Sequence, residues 1–288
     1  MRTVALDFPK SILIETCSLC QGQCIFCPYK DIRRGQETEY LGEDIVAKVL
    51  SEIRNYNVKR ISLFSNNEPL MDLRIYEFVK MTSTMLPNVE ITLSTNGILL
   101  SEQVVNKLYE NGLTTFYISI PTLNSDDYKQ IMGIELDRVL NQIRKFYNTE
   151  QASMLRIAAP KARSFDEFAF REEFRKNGIK VCPWDIEYVD SWQLDKEKLD
   201  KYFDSNSVSE LCDRPMDQAV ISANGNMTIC CRDWRESVVL GNVKDNSIYE
   251  IWHGQKYRNI QELIGNCAYE DIAVCKDCTM SKKLQQST

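Results

Sequence analysis

Ile12-Leu13-Ile14-Glu15-Thr16-Cys17-Ser18-Leu19-Cys20-Gln21-Gly22-Gln23-Cys24-Ile25-Phe26-Cys27 is the stretch whose reading decides the fold. Its first residues, Ile12-Leu13-Ile14-Glu15, read as a short strand. That strand runs straight into a loop with cysteines at 20, 24 and 27. Soft thiolates clustered this tightly favour an iron–sulfur cluster or zinc over disulfides. The number of cysteines matters as much as their spacing. A [4Fe–4S] cube held by three thiolates keeps one iron open, and an open iron can take a substrate or cofactor directly.

Outward from this loop, short β-rich runs alternate with longer amphipathic stretches as far as Trp184. Residues 43–56 place Ile45, Val46, Val49, Leu50 and Ile53 at helical spacing. Further strands are expected at 60–64, 89–94, 115–120, 154–158 and 179–183, with helices between them near 73–85, 101–109, 136–146 and 165–176. Ser101 is a natural N-cap, and Asn111-Gly112 and Asn177-Gly178 end the helices before them. Six βα repeats predict an α/β fold with a parallel sheet and right-handed crossovers. Six is too few for a closed eight-stranded barrel, so a partial (β/α)6 TIM-like barrel is expected, with its active residues at the C-terminal strand ends. The reading divides the chain into a barrel at 1–184, a charged, irregular bridge at 185–211, and a small domain at 212–288. That last part has few apolar runs and is expected to need a metal to fold.

Composition narrows the function classes. The chain has 288 residues, 43% hydrophobic and 26% charged, with a formal net charge of -6, so no basic surface for nucleic acid is expected. No apolar run reaches the roughly 20 residues of a membrane span, and the N-terminus lacks a signal-peptide pattern. The expectation is a cytoplasmic protein without membrane or nucleic-acid partners, in which eleven cysteines serve as metal ligands rather than disulfides. A single histidine, His253, excludes zinc sites built from several histidines and is read as structural.

Cys-x3-Cys-x2-Cys resembles the signature of the radical SAM (S-adenosylmethionine) superfamily, and the strand ends extend the resemblance over residues 11–184. The likeness implies that Cys20, Cys24 and Cys27 hold the cluster and that SAM chelates its open iron. Ser65-Asn66-Asn67-Glu68-Pro69 is similar to the family's Gly-Gly-Glu-Pro element, which binds the SAM amino group. It keeps Glu68-Pro69 but has Asn66 and Asn67 for glycine. Asparagine tolerates positive φ, so the turn is expected to survive. By the same likeness Asn96, in Ser94-Thr95-Asn96-Gly97, faces the ribose, Ser119 makes a polar contact to SAM, and Ile157 and Phe26 lie beside the adenine. Cys17 is expected beside the cluster without ligating it.

The remaining cysteines are Cys182, Cys212, Cys230, Cys231, Cys267, Cys275 and Cys278. Residues 220–230 read as a hairpin with an Asn224-Gly225 turn that returns Cys230 toward Cys212. The layout resembles the SPASM and twitch domains, which bind auxiliary [4Fe–4S] clusters. The chain ends ten residues after Cys278, which suits the one-cluster twitch type, with Cys212, Cys230, Cys275 and Cys278 as ligands. Zinc on the same four cysteines stays open, as does Cys231 in place of Cys230.

The arrangement is similar to that of dehydrogenases of the deoxy-scyllo-inosamine type. It implies hydrogen abstraction from a small polar substrate such as a carbohydrate or aminocyclitol, with the auxiliary cluster accepting an electron and a flavodoxin or ferredoxin as external donor. An epimerase, with Cys231, Cys267 or Cys182 returning hydrogen, is an alternative. A peptide-modifying enzyme is another, although only nineteen residues precede Cys20, too few for a leader-binding domain. A zinc-binding interaction protein is the alternative from another class. Arg156, Asp185, Glu187, Tyr188 and Asp190 are candidates for substrate contact near the barrel mouth.

Overall fold

The computed structural model describes residues 6–33, 35–186, 189, 192, 194–204, 212 and 214–278. Nine strands form one sheet among these residues, in the order β6-β5-β4-β3-β2-β1-β7-β8-β9. The first six are β1 Ser11–Ile14, β2 Arg60–Ser62, β3 Glu90–Thr95, β4 Thr115–Ser119, β5 Leu155–Pro160 and β6 Lys180–Trp184. Each pairs with its sequence neighbour in parallel. The α/β reading holds, and the sheet is that of a partial barrel.

Alternation along the strands sorts side chains onto two faces. Phe116, Ile118, Leu155 and Ile157 are fully buried on one face, and helices such as Glu43–Ile53 turn their apolar side, here Val46, Val49, Leu50 and Ile53, into the core. Their neighbours Tyr117, Ser119, Arg156, Ala158, Cys182 and Trp184 are half-buried on the opposite face. This half-buried face is the concave inside of the partial barrel, opposite the close-packed face.

The C-terminal part does not stand apart. β7 Gln218–Ile221 pairs in parallel with β1, from Ser11 against Gln218 to Ile14 against Ile221. β8 Asn226–Thr228 and β9 Val239–Asn242 then add antiparallel strands. The expected turn is present, with Gly225 at φ +89°, a conformation that costs glycine little. On the other side, Glu52 of the helix Glu43–Ile53 accepts from the backbone of Ile248 (2.9 Å) and Tyr249 (2.8 Å). It thereby caps the helix Ile248–Trp252, while Lys48, one turn earlier, donates to the carbonyl of Val243 at 2.7 Å. His253 holds the carbonyl of Asp7 at 2.8 Å, a structural role. The bridge is more regular than expected: Lys196–Tyr202 is a helix whose N-cap, Asp195, accepts from Lys198 N at 3.0 Å.

Among the described residues, no helix is long and apolar enough to cross a membrane.

Candidate active site and auxiliary metal centre

The loop after β1 carries the first cysteine cluster over the C-terminal strand ends. Tyr29 supports it from below: its hydroxyl donates to Ser18 O (3.0 Å) and accepts from Cys20 N (2.9 Å). Gly22 lets the loop close tightly. A Cβ there would lie 3.3 Å from Cys20 Sγ, 3.7 Å from Cys24 Sγ and 3.2 Å from Asn96 Nδ2. The N–H of Cys27 bonds the carbonyl of Cys24 at 3.2 Å, a turn that brings the last two cysteines together.

Burial pushes the Cys20 thiol up to about 12, helped by the charges of Glu68 and Cys27, and it pushes Cys24 well above its ordinary value. Two neighbouring thiols that resist ionisation need a cationic partner to become thiolates together. The surroundings fit a bound group as well. The amide of Gln21, the hydroxyl of Ser65 and the hydroxyl of Tyr128 are buried without a hydrogen-bond partner among the described residues. Native proteins seldom leave such groups unpaired. The donor set and these polar atoms fit a [4Fe–4S] cluster on Cys20, Cys24 and Cys27 with an organic cofactor beside it.

Glu68 joins the strand ends around this loop. It is 2% exposed, and its carboxylate accepts from Thr95 Oγ1 (2.9 Å), Asn96 N (2.8 Å) and Leu70 N (3.2 Å). Its own N–H donates to Leu19 O at 2.8 Å. Burial outweighs these donors and raises the carboxyl to about 7. Asn96 Nδ2 reaches Cys20 Sγ at 3.8 Å, so β3 touches the cluster loop directly. Asn67 uses its side chain locally, accepting from Ser65 N (3.1 Å) and donating to Cys17 Sγ (3.6 Å). Neither Asn66 nor Asn67 has positive φ, so the turn does not call on asparagine's tolerance of it. Cys17 is 0% exposed beside the loop.

Ser119 ends β4 on the concave face, level with Ala158 and Cys182 across the sheet. Phe26 packs edge-on against Phe203, with ring centroids 5.6 Å apart, which ties the bridge to the cysteine loop. Ile157 departs from its expected role. It is 0% exposed and in register with Ile118 and Val181 on the close-packed face, so its side chain is core rather than a cofactor contact. Periodicity explains the error, because a one-residue step along a strand changes faces.

The second centre collects cysteines from distant segments. Cys212, Cys230, Cys275 and Cys278 line one tight cavity of about 20 Å³, bordered by Arg214, Arg232 and Tyr269. Cys275 and Cys278 repeat the turn of the first loop, Cys278 N bonding Cys275 O at 3.1 Å. Burial raises Cys275 to about 12. Cys230 is raised first by its hydrogen bond with Cys231 and then by burial. Among the described residues no three His, Cys, Asp or Glu side chains converge on a single-ion position. A cubane makes no such demand, because its four thiolates bind four separate irons.

A hydrogen donor to a substrate in the barrel would have to face the concave surface. Cys182 does, by its register with Ala158. Cys231 is turned to Cys230, and Cys267 is exposed, at φ +59° beyond the helix Gln255–Gly265. The donor role expected of Cys231 or Cys267 therefore does not match their positions. Arg156 donates to the carbonyls of Ser153 (2.6 Å) and Leu155 (2.8 Å), and Asp185 pairs with Lys161 at 2.7 Å. Glu187, Tyr188 and Asp190 lie outside the described residues.

Sequence reasoning missed a buried ionic link between the two halves. Glu15, at the end of β1, is 1% exposed and receives Arg33 in a two-oxygen contact at 3.2 and 3.0 Å. Arg33 also reaches Glu236 at 3.9 Å, and Ala223 N donates to Glu15 at 3.3 Å. Only the tertiary fold brings these residues together, and no local pattern announces them.

Comparison with known proteins agrees with this layout. The family model of the radical SAM superfamily matches residues 14–159, about half the chain, and that of an iron–sulfur cluster-binding domain, SPASM, matches residues 212–279. The S-adenosyl-L-methionine-dependent 2-deoxy-scyllo-inosamine dehydrogenase of Niallia circulans is 23% identical over 272 residues, covering 93% of this chain and 91% of the relative. The GTP 3',8-cyclase of Clostridium perfringens is 34% identical over 142 residues, but the match spans only 49% of this chain and 42% of the cyclase. The crystal structure of BtrN in complex with AdoMet and 2-DOIA superposes with a TM-score of 0.67 at 21% identity, covering 94% of this chain and 93% of that one. At that identity the structural likeness speaks for the fold.

Proposed function

Because the chain belongs to the radical SAM superfamily, we propose that it is an oxidoreductase that removes two hydrogens from a small polar substrate of the carbohydrate or aminocyclitol type. The radical SAM domain implies a SAM-binding [4Fe–4S] cluster and SAM, and the SPASM domain implies auxiliary iron–sulfur clusters. When bound, these groups supply a radical able to abstract a hydrogen atom and an acceptor for the electron left on the substrate. The electron needed to cleave SAM would come from an external one-electron donor of the flavodoxin or ferredoxin kind. The balance is one hydrogen atom to 5'-deoxyadenosine, one electron to the auxiliary site and one proton to solvent or a base.

The observation that carries this reading is the position of the four-cysteine cavity. Arg232 N donates to Cys230 Sγ at 3.3 Å, and the guanidinium of the same residue lies 6.0 Å from the Trp184 ring centroid. Trp184 stands on the concave face, two residues beyond Cys182 on β6. The auxiliary site is thus one residue away from the barrel mouth, where it can take an electron from a bound substrate. Cys20, Cys24 and Cys27 would hold the first cluster, with Cys212, Cys230, Cys275 and Cys278 holding one auxiliary cluster. Asn96, held by Glu68, would orient SAM, Ser119 would meet it from β4, and Phe26 would shield it from water. Resemblance to an aminocyclitol dehydrogenase supports the substrate class.

The test is anaerobic turnover with SAM, a low-potential reductant and a panel of aminocyclitols and sugars in heavy water. The proposal expects 5'-deoxyadenosine together with a product two hydrogens lighter and free of solvent deuterium at carbon. A product one mass unit heavier than the substrate, carrying one solvent deuterium at carbon, would replace oxidation by epimerisation. No 5'-deoxyadenosine from any panel member, but turnover of a peptide, would move the substrate class.

A further inference from the structure

The helix Ser125–Met132 lies against the cysteine loop. Ile25 N donates to Ile131 O at 3.0 Å, and a Cβ on Gly133, which ends the helix, would meet Gln23 Cβ at 3.2 Å. One turn before Ile131, on the same face, stands Tyr128. It is 0% exposed, among the largest fully buried side chains of the protein, yet its hydroxyl has no hydrogen-bond partner among the described residues. The two helix contacts fall on Gln23 and Ile25, the residues on either side of Cys24. Phenylalanine would fill this space without leaving a polar atom unpaired. A tyrosine hydroxyl in a dry, close-packed position calls for an acceptor, and the cysteine between those two contacts is Cys24.

We infer that the Tyr128 hydroxyl donates a hydrogen bond to sulfur at the Cys24 corner of the SAM-binding cluster, making Tyr128 a positioning residue that sets the cluster's reduction potential. The inference rests on the reading that Cys20, Cys24 and Cys27 hold that cluster. Hydrogen bonds to the sulfurs are among the determinants of iron–sulfur potentials. A donor stabilises the more negative, reduced state, so losing it makes the cluster harder to reduce.

The experiment is a redox titration followed by electron paramagnetic resonance on the full-length, reconstituted protein. The SAM-binding cluster is identified as the signal missing from Cys20→Ala/Cys24→Ala/Cys27→Ala. Tyr128→Phe is expected to keep its iron while the reduction equilibrium shifts about tenfold toward the oxidised form, which is ~59 mV more negative for a one-electron couple. Should Tyr128→Phe fail to load the loop, site-specific 3,5-difluorotyrosine at position 128 decides. It keeps the ring and is a stronger donor, so the potential should move positive. An unmoved potential in an iron-loaded Tyr128→Phe, or in the difluorotyrosine protein, overturns the role of Tyr128 while leaving the cluster in place. Wild-type protein with no iron in the loop overturns the underlying reading instead.

Discussion

Replacing Arg33 with methionine tests how the cysteine loop is tied to the C-terminal part. The change keeps an unbranched apolar side chain and removes the charged fork, which lies 6.0 Å from the Trp234 ring centroid. Arg33 and Glu15 are 8% and 1% exposed, so water cannot replace the lost partner. Burial already pushes the Glu15 carboxyl up against the pull of Arg33, which shows how costly that charge is to hold. Removing one partner of such a pair costs about 3–5 kcal/mol, whereas removing both charges is close to neutral. At roughly 2 °C per kcal/mol for a chain of this size, Arg33→Met should lower the thermal midpoint by about 6–10 °C. Glu15→Gln/Arg33→Met should recover much of that loss, because the stranded carboxylate is gone. The assay is scanning fluorimetry of metal-loaded wild type, both single variants and the double variant at one scan rate. A single variant within about 1 °C of wild type, too small for a buried pair, would refute the reasoning. So would a double variant whose loss is the sum of the two singles.

Other consequences follow from the same geometry. Gly22→Ala should lower iron bound at the first loop and leave the second centre loaded, since its Cβ would crowd Cys20 Sγ and Asn96 Nδ2; crowding of this kind costs about 1–3 kcal/mol, and iron analysis reads it. Glu68→Gln removes the charge that receives Thr95 and Asn96, and SAM affinity by equilibrium dialysis should fall by about ten- to hundredfold, as expected for a charged hydrogen bond worth ~1.5–3 kcal/mol. Burial raises Glu236, but the amides of Asn226 and Asn224, Ser222 and Arg33 together hold it below 4.5. Its contribution is full above that value and is lost as pH falls through its lower folded value. Between about pH 5 and 3, wild type should therefore lose stability more steeply than Glu236→Gln, as thermal midpoints across a pH series would show.

Much of this was legible in the sequence because it is local. A strand running into Cys-x3-Cys-x2-Cys, and strand ends at Glu68, Asn96 and Ser119, are short-range patterns, and the sheet places all of them at one end of the barrel. The pairing of β7 with β1 was not legible. A four-residue apolar strand carries no mark of its partner, and this one was read with the hairpin of a separate domain. The helix Lys196–Tyr202 was hidden by a charged surface that looks like loop. Ile157 was placed on the wrong face because a family likeness fixes a strand more firmly than its register. Tyr128, Arg33 and Glu236 take their meaning from partners far along the chain or from a cluster the sequence does not print.

The most direct test of the central claim is iron and sulfide content after anaerobic reconstitution, for wild type and for Cys20→Ala/Cys24→Ala/Cys27→Ala. The account predicts about eight irons falling to about four, as two cubanes require, with SAM cleavage abolished. About four irons falling to none, a single cubane's worth, would contradict it. The C-terminal cysteines would then be zinc ligands or free thiols, and the electron-accepting role of the second centre would be lost.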